Sequence, residues 1–296
     1  MIDAELISSA LFFIPGLFLI FAKRKEMPEG PEVRRMAEGL AKRIVGKELV
    51  EAEILGGKWL KKEPTGISLI REALSTRPLR VDWVRVKGKF IYAKIGDLFM
   101  WNTLGMSGGW RDLRRKHSHF VLRFSDSSEV FFDDVRRFGN ISFYSDHQEI
   151  QKKLNSSGPD MLNSDVSFSE FYSRLAKSPN KNICKAIMDQ KVISGVGNYI
   201  KSEALYRAGI SPHLKISDIP SDRMEKLCEW IKTIIKTSYE QGGATLATYT
   251  DMDNNHGDFV FSFHVYRKDK DPLGNSVVHG VTDDGRMTHW VPGIQI

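Results

Sequence analysis

Residues 27–44, MPEGPEVRRMAEGLAKRI, decide the reading of the whole chain. Val33, Met36, Ala37, Leu40 and Ile44 recur at spacings of three and four, which predicts a helix from Pro28 to Ile44 with one apolar face. Prolines and acids at its start (Pro28, Glu29, Pro31, Glu32) are ordinary first-turn residues, because the leading amides lack intrahelical acceptors and the helix dipole favours negative charge there. The same residues carry a second meaning. An initiator Met before Pro is normally trimmed, and loss of Met27 would leave a secondary amine on Pro28. An α-amino group titrates near about 8, so roughly a tenth is unprotonated at neutrality, whereas a lysine at about 10.4 is almost wholly charged. Such an amine can attack a carbon electrophile and form an iminium ion, an electron sink. Glu29 beside it is suited to moving protons.

Outward from this helix the pattern changes to β. Alternating or β-branched segments at 49–55, 81–86, 90–95, 98–102, 119–124, 129–132 and 140–144, separated by Gly and Asp turns, predict short strands in a sandwich or barrel. A polar run ending in Gly158-Pro159 reads as a linker, and 167–177, 180–190, 198–208 and 220–241 read as helices. Residues 258–296 return to short strands with turns at Asp271-Pro272, Leu273-Gly274 and Asp284-Gly285, a hairpin. The expected division is 1–26, 27–150, a linker at 151–165, 166–257 and 258–296.

Composition sets the frame. The 296 residues suffice for two modest domains, and 41% hydrophobic with 27% charged residues is ordinary for a globular protein. The excess of 43 basic over 37 acidic residues leans toward a polyanionic partner. Cys184 and Cys228 are too few for a disulfide scaffold or a thiolate zinc site, which fits a reducing compartment, nucleus or cytoplasm. Residues 1–26 stand apart: Leu6 to Ala22 is uncharged and mostly apolar, followed by Lys23, Arg24 and Lys25. This stretch reads either as a membrane anchor or as an in-frame extension missing from the active protein, and the second reading is preferred. Asp3 and Glu5 at the start argue against a cleaved secretory signal.

The start Met27-Pro-Glu-Gly-Pro-Glu-Val resembles the formamidopyrimidine-DNA glycosylase and endonuclease VIII family, and further segments follow in that family's order. They are Lys87-Gly-Lys-Phe, Thr103-Leu-Gly-Met-Ser-Gly, Asp134-Val-Arg-Arg-Phe-Gly, the run from Met188 to Ile200 and Gly285-Arg-Met-Thr-His-Trp-Val-Pro. The resemblance covers Met27 to the C-terminus. It implies an α+β fold: an N-terminal β-sandwich with a leading helix, then a helix-two-turn-helix domain ending in a β-hairpin finger. It further implies a bifunctional glycosylase and AP lyase of base excision repair, with damaged DNA as partner, no cofactor and a monomeric state.

By the same resemblance Pro28, Glu29, Glu32, Lys89 and Arg286 are the catalytic candidates. Lys89 matches a phosphate-contacting lysine and Arg286 the finger arginine. Met106, in an exposed Gly-flanked turn, matches a wedge that fills the gap left by a flipped-out base, with Phe138 and Arg136 or Arg137 beside it. His117, Lys191 and Asn198 are the remaining DNA-contact candidates, Asn198 opening a helix whose amides converge on an anion. Bacterial members hold the hairpin with four cysteines on zinc, whereas the comparable positions here are Leu273, Ser276, Val291 and Ile294. The hairpin therefore resembles the zincless finger of the endonuclease VIII-like branch, with apolar side chains expected in place of metal bonds. If residues ahead of Pro28 are retained, its nitrogen is an amide and the alternative is a catalytically silent damaged-DNA-binding protein.

Overall fold

A computed structural model of the chain describes residues 27–244 and 250–296, without the side chains of Val260 and Phe261. The expected 1–26 segment, and residues 245–249 of the expected 166–257 domain, lie outside it. Among the described residues no helix is long and apolar enough to cross a membrane.

The leading helix α1 runs Gly30–Ile44, capped by Glu29 in extended conformation, with Pro31 in its first turn and Lys42 and Arg43 in its last. The predicted stripe is its buried face: Val33, Met36, Ala37, Leu40 and Ile44 are all within the core. One side of α1 packs on the sheet and the other on a helix of the second domain.

Eight strands follow: β1 (Glu48–Ile54), β2 (Leu79–Lys87), β3 (Phe90–Ile95), β4 (Leu98–Thr103), β5 (Gly108–Arg111), β6 (Ser118–Phe124), β7 (Glu129–Asp134) and β8 (Asn140–Tyr144). They form one antiparallel sheet in the order β5-β7-β6-β1-β2-β3-β4-β8. Only Glu48↔Arg80 and Leu49↔Leu79 join β1 to β2, and the sheet folds at this corner into two layers. The Trp110 indole of β5 donates to Asn102 Oδ1 of β4 at 3.1 Å, and Phe120 of β6 meets Phe143 of β8 with ring centroids 6.2 Å apart. This is the expected sandwich.

Three elements escaped the pattern reading. Helix α2 (Ile67–Thr76) has apolar residues at 67, 70, 73 and 74, a helical spacing that went unread, with Ile67 and Ile70 fully in the core. Strand β5 is Gly-Gly-Trp-Arg, where two glycines hide the alternation. Helix α3 (His147–Ser156) lies within the polar stretch that ends in the expected linker. Asp146 caps it, and Ile150 and Leu154 cover Phe99 and Trp101 on the outer face of β4.

The second domain holds α4 (Phe168–Leu175), α5 (Ile183–Ile187), α6 (Asn198–Arg207) and α7 (Ser221–Glu240). Helix α6 is buried on every side from Tyr199 to Tyr206, so it lacks the polar face of a surface helix. Strands β9 (Val278–Val281) and β10 (Met287–Trp290) complete the finger hairpin against α6.

Trp110 is fully buried between the layers and stacks edge-on against Phe132 at 5.3 Å. Trp110→Ala should lower the unfolding free energy by roughly 3–5 kcal/mol through the lost burial and the cavity left behind. A shift in the urea midpoint corresponding to less than about 1 kcal/mol would contradict this account of the core.

Candidate active site

Helices α1 and α6 meet almost end to end, and the candidate site is built at that junction. Gly30 N donates to Gly195 O at 2.9 Å. The Glu29 carboxyl group accepts from the amides of Tyr199 at 2.9 Å and Ile200 at 3.4 Å, the opening residues of α6. Any side chain at position 197 would collide with the Glu29 carboxyl carbon, so glycine there is what admits the acid. The helix N-terminus expected to receive an anion has thus spent two of its amides on a carboxylate of the protein itself.

Glu32 lies one turn below and is fully buried. Its Oε2 accepts from Glu29 N at 2.8 Å and its Oε1 from Ala244 N at 2.7 Å. The Tyr199 hydroxyl lies 3.1 Å from Glu32 Oε1 and 2.9 Å from Ser238 Oγ. One carboxylate therefore ties α1, α6 and the end of α7 together.

Burial pushes the Glu29 carboxyl up to about 8, and the nearby Glu32 adds to this, while the Lys89 charge and the two α6 amides pull it down. Burial also raises Glu32, against the amides of Ala244 and Glu29. Lys89, in the β2–β3 turn, is lowered by burial and by the charge of Arg286, against Glu29 and Glu32. Glu29, Glu32 and Arg286 are thus all within electrostatic reach of Lys89. The fifth catalytic candidate, Pro28, is buried just ahead of the α1 cap, and with Met27 attached its nitrogen is an amide.

Lys89 is aimed by its turn. Gly88 has φ +55° and sits against Ser194, and its amide donates to Asp160 Oδ2 at 2.7 Å. Asp160 belongs to the segment read as linker, which is therefore part of the site's frame.

The DNA-contact candidates lie on loops of both domains, apart from Asn198, which opens α6. Met106 is half-buried between β4 and β5, whereas Arg136, Arg137 and Phe138 are exposed between β7 and β8. Phe138 is 56% exposed under the Arg136 guanidinium, 4.8 Å from its ring centre, so it is not core. Asp134 pins the two loops together: Oδ1 accepts from Ser107 Oγ at 2.5 Å and Arg136 N at 3.2 Å, and Oδ2 from Gly139 N at 2.6 Å. His117 is half-buried before β6 and Lys191 is exposed before α6. Asn198 donates through Nδ2 to Met287 O at 2.8 Å, while its Oδ1 is buried without a partner. Among further residues that shape the site, Tyr199 and Asp134 lie in the quoted runs, but Ser238 and Asp160 carried no signal in the sequence.

In the finger, Val291 and Ile294 pack with Tyr206, Val265 and Val277, as expected of apolar substitutes. Leu273 does not: it is 77% exposed, and Ser276 is exposed as well. The Leu273 end of the finger is held by Asp271 instead. Its Oδ1 accepts from the amides of Leu273 at 2.9 Å and Asn275 at 2.8 Å, and its Oδ2 from Asn275 Nδ2 and Tyr206 OH, both at 3.0 Å. The four positions comparable to the zinc cysteines offer neither thiolate nor imidazole, so a structural zinc does not fit them.

A sandwich and a helical domain joined over two buried acids, with basic loops at the rim and a hairpin beyond, define the class of two-domain proteins built on a helix-two-turn-helix. Three family models match in series: the formamidopyrimidine-DNA glycosylase N-terminal domain over residues 27–141, its H2TH domain over 157–250 and its C-terminal domain over 252–296. A formamidopyrimidine-DNA glycosylase of Wolbachia from Drosophila simulans is 31% identical over 277 residues, 91% of this chain and 100% of that protein. The Shouchella clausii glycosylase is 27% identical, over 91% and 99%. Among solved structures, a Lactococcus lactis Fpg variant in complex with Fapy-dG containing DNA superposes with TM-score 0.80 at 26% identity, covering 90% of this chain and 99% of that one. The Lactococcus lactis Fpg complex with abasic-site DNA gives 0.78 at 25%, with the same coverage. The chain belongs to the formamidopyrimidine-DNA glycosylase family. These comparisons do not set the endonuclease VIII-like branch apart within it.

The raised Glu29 carboxyl has a thermodynamic consequence. In the folded full-length chain Glu29 binds its proton more tightly than when unfolded, so stability falls as pH rises from about 4.5 toward 8. Glu29→Gln removes that loss. The melting temperature of the variant relative to the full-length chain should rise across this window, and a relative gain that instead grows as pH falls would show the carboxyl to be ionised throughout.

Proposed function

We propose that the chain, once it begins at Pro28, is a bifunctional DNA glycosylase and AP lyase of base excision repair that removes oxidised bases. The observation that carries this reading is the buried Glu29 carboxyl, pushed up to about 8 and adjoining Pro28. A carboxyl protonated at neutral pH beside an amine that is partly unprotonated is the pairing that sugar opening requires.

In this reading the Pro28 lone pair attacks C1′, the glycosidic C–N bond breaks and the base leaves with the bonding pair, taking up a proton. Glu29 gives its proton to O4′ as the sugar ring opens, leaving an iminium at C1′. Loss of the C2′ proton then expels the 3′ phosphate, and loss of the C4′ proton expels the 5′ phosphate. Water hydrolyses the remaining imine and frees Pro28. Glu32 holds the Glu29 backbone in place, and Lys89 and Arg286 meet phosphates flanking the lesion. A protonated Pro28 amine would lower the Glu29 carboxyl, so proton sharing between the two sets the acid limb of activity.

Met106, Phe138, Arg136 and Arg137 would fill and clamp the site of the flipped base, and His117, Lys191 and Asn198 would contact the backbone. The finger functions as part of a monomer without metal. A second reading rests on Pro28 being an internal amide while Met27 is attached: the unprocessed chain binds damaged DNA without cleaving it.

Protein expressed from Met27 should form a borohydride-stable adduct with lesion-bearing DNA at Pro28, whereas protein retaining residues 1–27 should not. A Pro28-initiated protein that neither traps nor nicks abasic DNA would overturn the proposal, and a panel of defined lesions ranks its substrates. Chelator should leave cleavage unchanged. Asp271→Ala should cost about 1–3 kcal/mol by stranding the donors that meet there, and inhibition by chelator would reveal a metal in the finger.

A further inference from the structure

Lys201 is the one fully buried lysine among the described residues. Its Nζ lies 2.6 Å from Asp284 Oδ2, with the two side chains 0% and 5% accessible. Asp284 sits in the β9–β10 turn of the finger, and its other oxygen, Oδ1, accepts from the Thr282 hydroxyl at 2.6 Å and from the Arg286 amide at 3.3 Å. The turn is closed by Gly285 N donating to Thr282 O at 2.8 Å and Thr282 N to Arg286 O at 3.1 Å. A second tie runs from Asn198 Nδ2 to Met287 O at 2.8 Å. Asn198 and Lys201 are three apart on α6, so both ties leave the same face of that helix. The two residues between them, Tyr199 and Ile200, are those whose amides hold Glu29.

We infer that the buried Lys201–Asp284 ion pair is a positioning device that sets Arg286 of the finger in register with Glu29, using the first turn of α6 as a common ruler. Two buried charges are a poor means of gaining stability, because desolvation offsets most of their attraction and an apolar pair of similar volume serves as well. Their direction is what an apolar pair lacks: the ammonium fixes one carboxylate oxygen, and the other then fixes the backbone amide of Arg286. The exposed Arg286 side chain starts from a backbone anchored to the helix that carries the general-acid candidate. Lys201 touches no reacting atom in this scheme; it acts through Arg286. The inference rests on the enzymatic reading above and concerns the second elimination, in which the arginine meets the departing phosphate.

The test uses protein beginning at Pro28 and a duplex with one abasic site, resolving the strand ends left by the first and the second elimination. Lys201→Met should lower the ratio of second to first elimination product by about tenfold or more, as misplacement of a positioned group by an ångström does, while leaving borohydride trapping intact. Lys201→Arg should restore most of the ratio. Arg286→Ala should itself lower the ratio, and adding Lys201→Met to it should change nothing further. Where the single variant fails to fold, Lys201→Met with Asp284→Leu removes the stranded carboxylate and should fold with the low ratio. A wild-type ratio in a folded Lys201→Met protein or in the double variant, or a further fall on the Arg286→Ala background, overturns the inference. Failure of the unaltered protein to trap or nick rejects the enzymatic reading and this inference with it.

Discussion

The Glu29 carboxyl group seated on the opening amides of α6 is the contact on which the rest of the molecule depends. It joins the first helix of one domain to a helix of the other, it requires Gly197 to let the acid approach, and it buries an ionisable group with a second acid, Glu32, one turn away. Two acids in one dry pocket repel and are desolvated together, so the fold must answer with donors. It does so with main-chain amides from three segments and with Lys89 nearby. Burial still wins for Glu29, leaving its proton in place near neutrality.

Ties between the domains flank this junction. Arg35 pairs with Asp251 at 3.0 Å, Arg43 with Asp253 at 2.7 Å, and Arg115 donates to Asn254 at 2.8 Å, all reaching from the first domain to one loop of the second. On another side Asp160 holds the turn that carries Lys89. The more exposed of these pairs add little stability singly, but together they define how the polar loop beyond α7 is anchored on α1. Arg115, two residues before the DNA-contact candidate His117, is committed to this clasp.

The finger is held by two carboxylates, neither of them at a position comparable to the zinc cysteines. Asp271 gathers four donors at one end and Asp284 joins the turn to α6 at the other, with Val291 and Ile294 packing between. A carboxylate with several hydrogen-bond donors resembles a metal site in one respect, since a single buried group fixes several chain segments at once. It differs in depending on complete satisfaction, because each donor left over is a buried polar group without a partner.

By itself the sequence determined whatever depends on local periodicity and on runs of neighbouring residues. Helix α1 and its buried stripe, most of the strands, the helices of the second half and the hairpin turns could be named from spacing, and Pro28, Glu29, Glu32, Lys89 and Arg286 from the family resemblance, whereas Ser238 and Asp160 could not. It concealed β5 and α3, where paired glycines or few apolar positions blur the period, while α2 keeps a helical spacing that went unread. Tertiary structure alone decided that Glu29 occupies the α6 amides, that Leu273 faces solvent while Asp271 holds that end of the finger, and that Lys201 and Asp284 meet in the dark. Each of these is a contact between residues far apart in the chain, and whether a charged side chain is solvated or buried against a partner depends on which distant segment covers it, which local pattern does not encode.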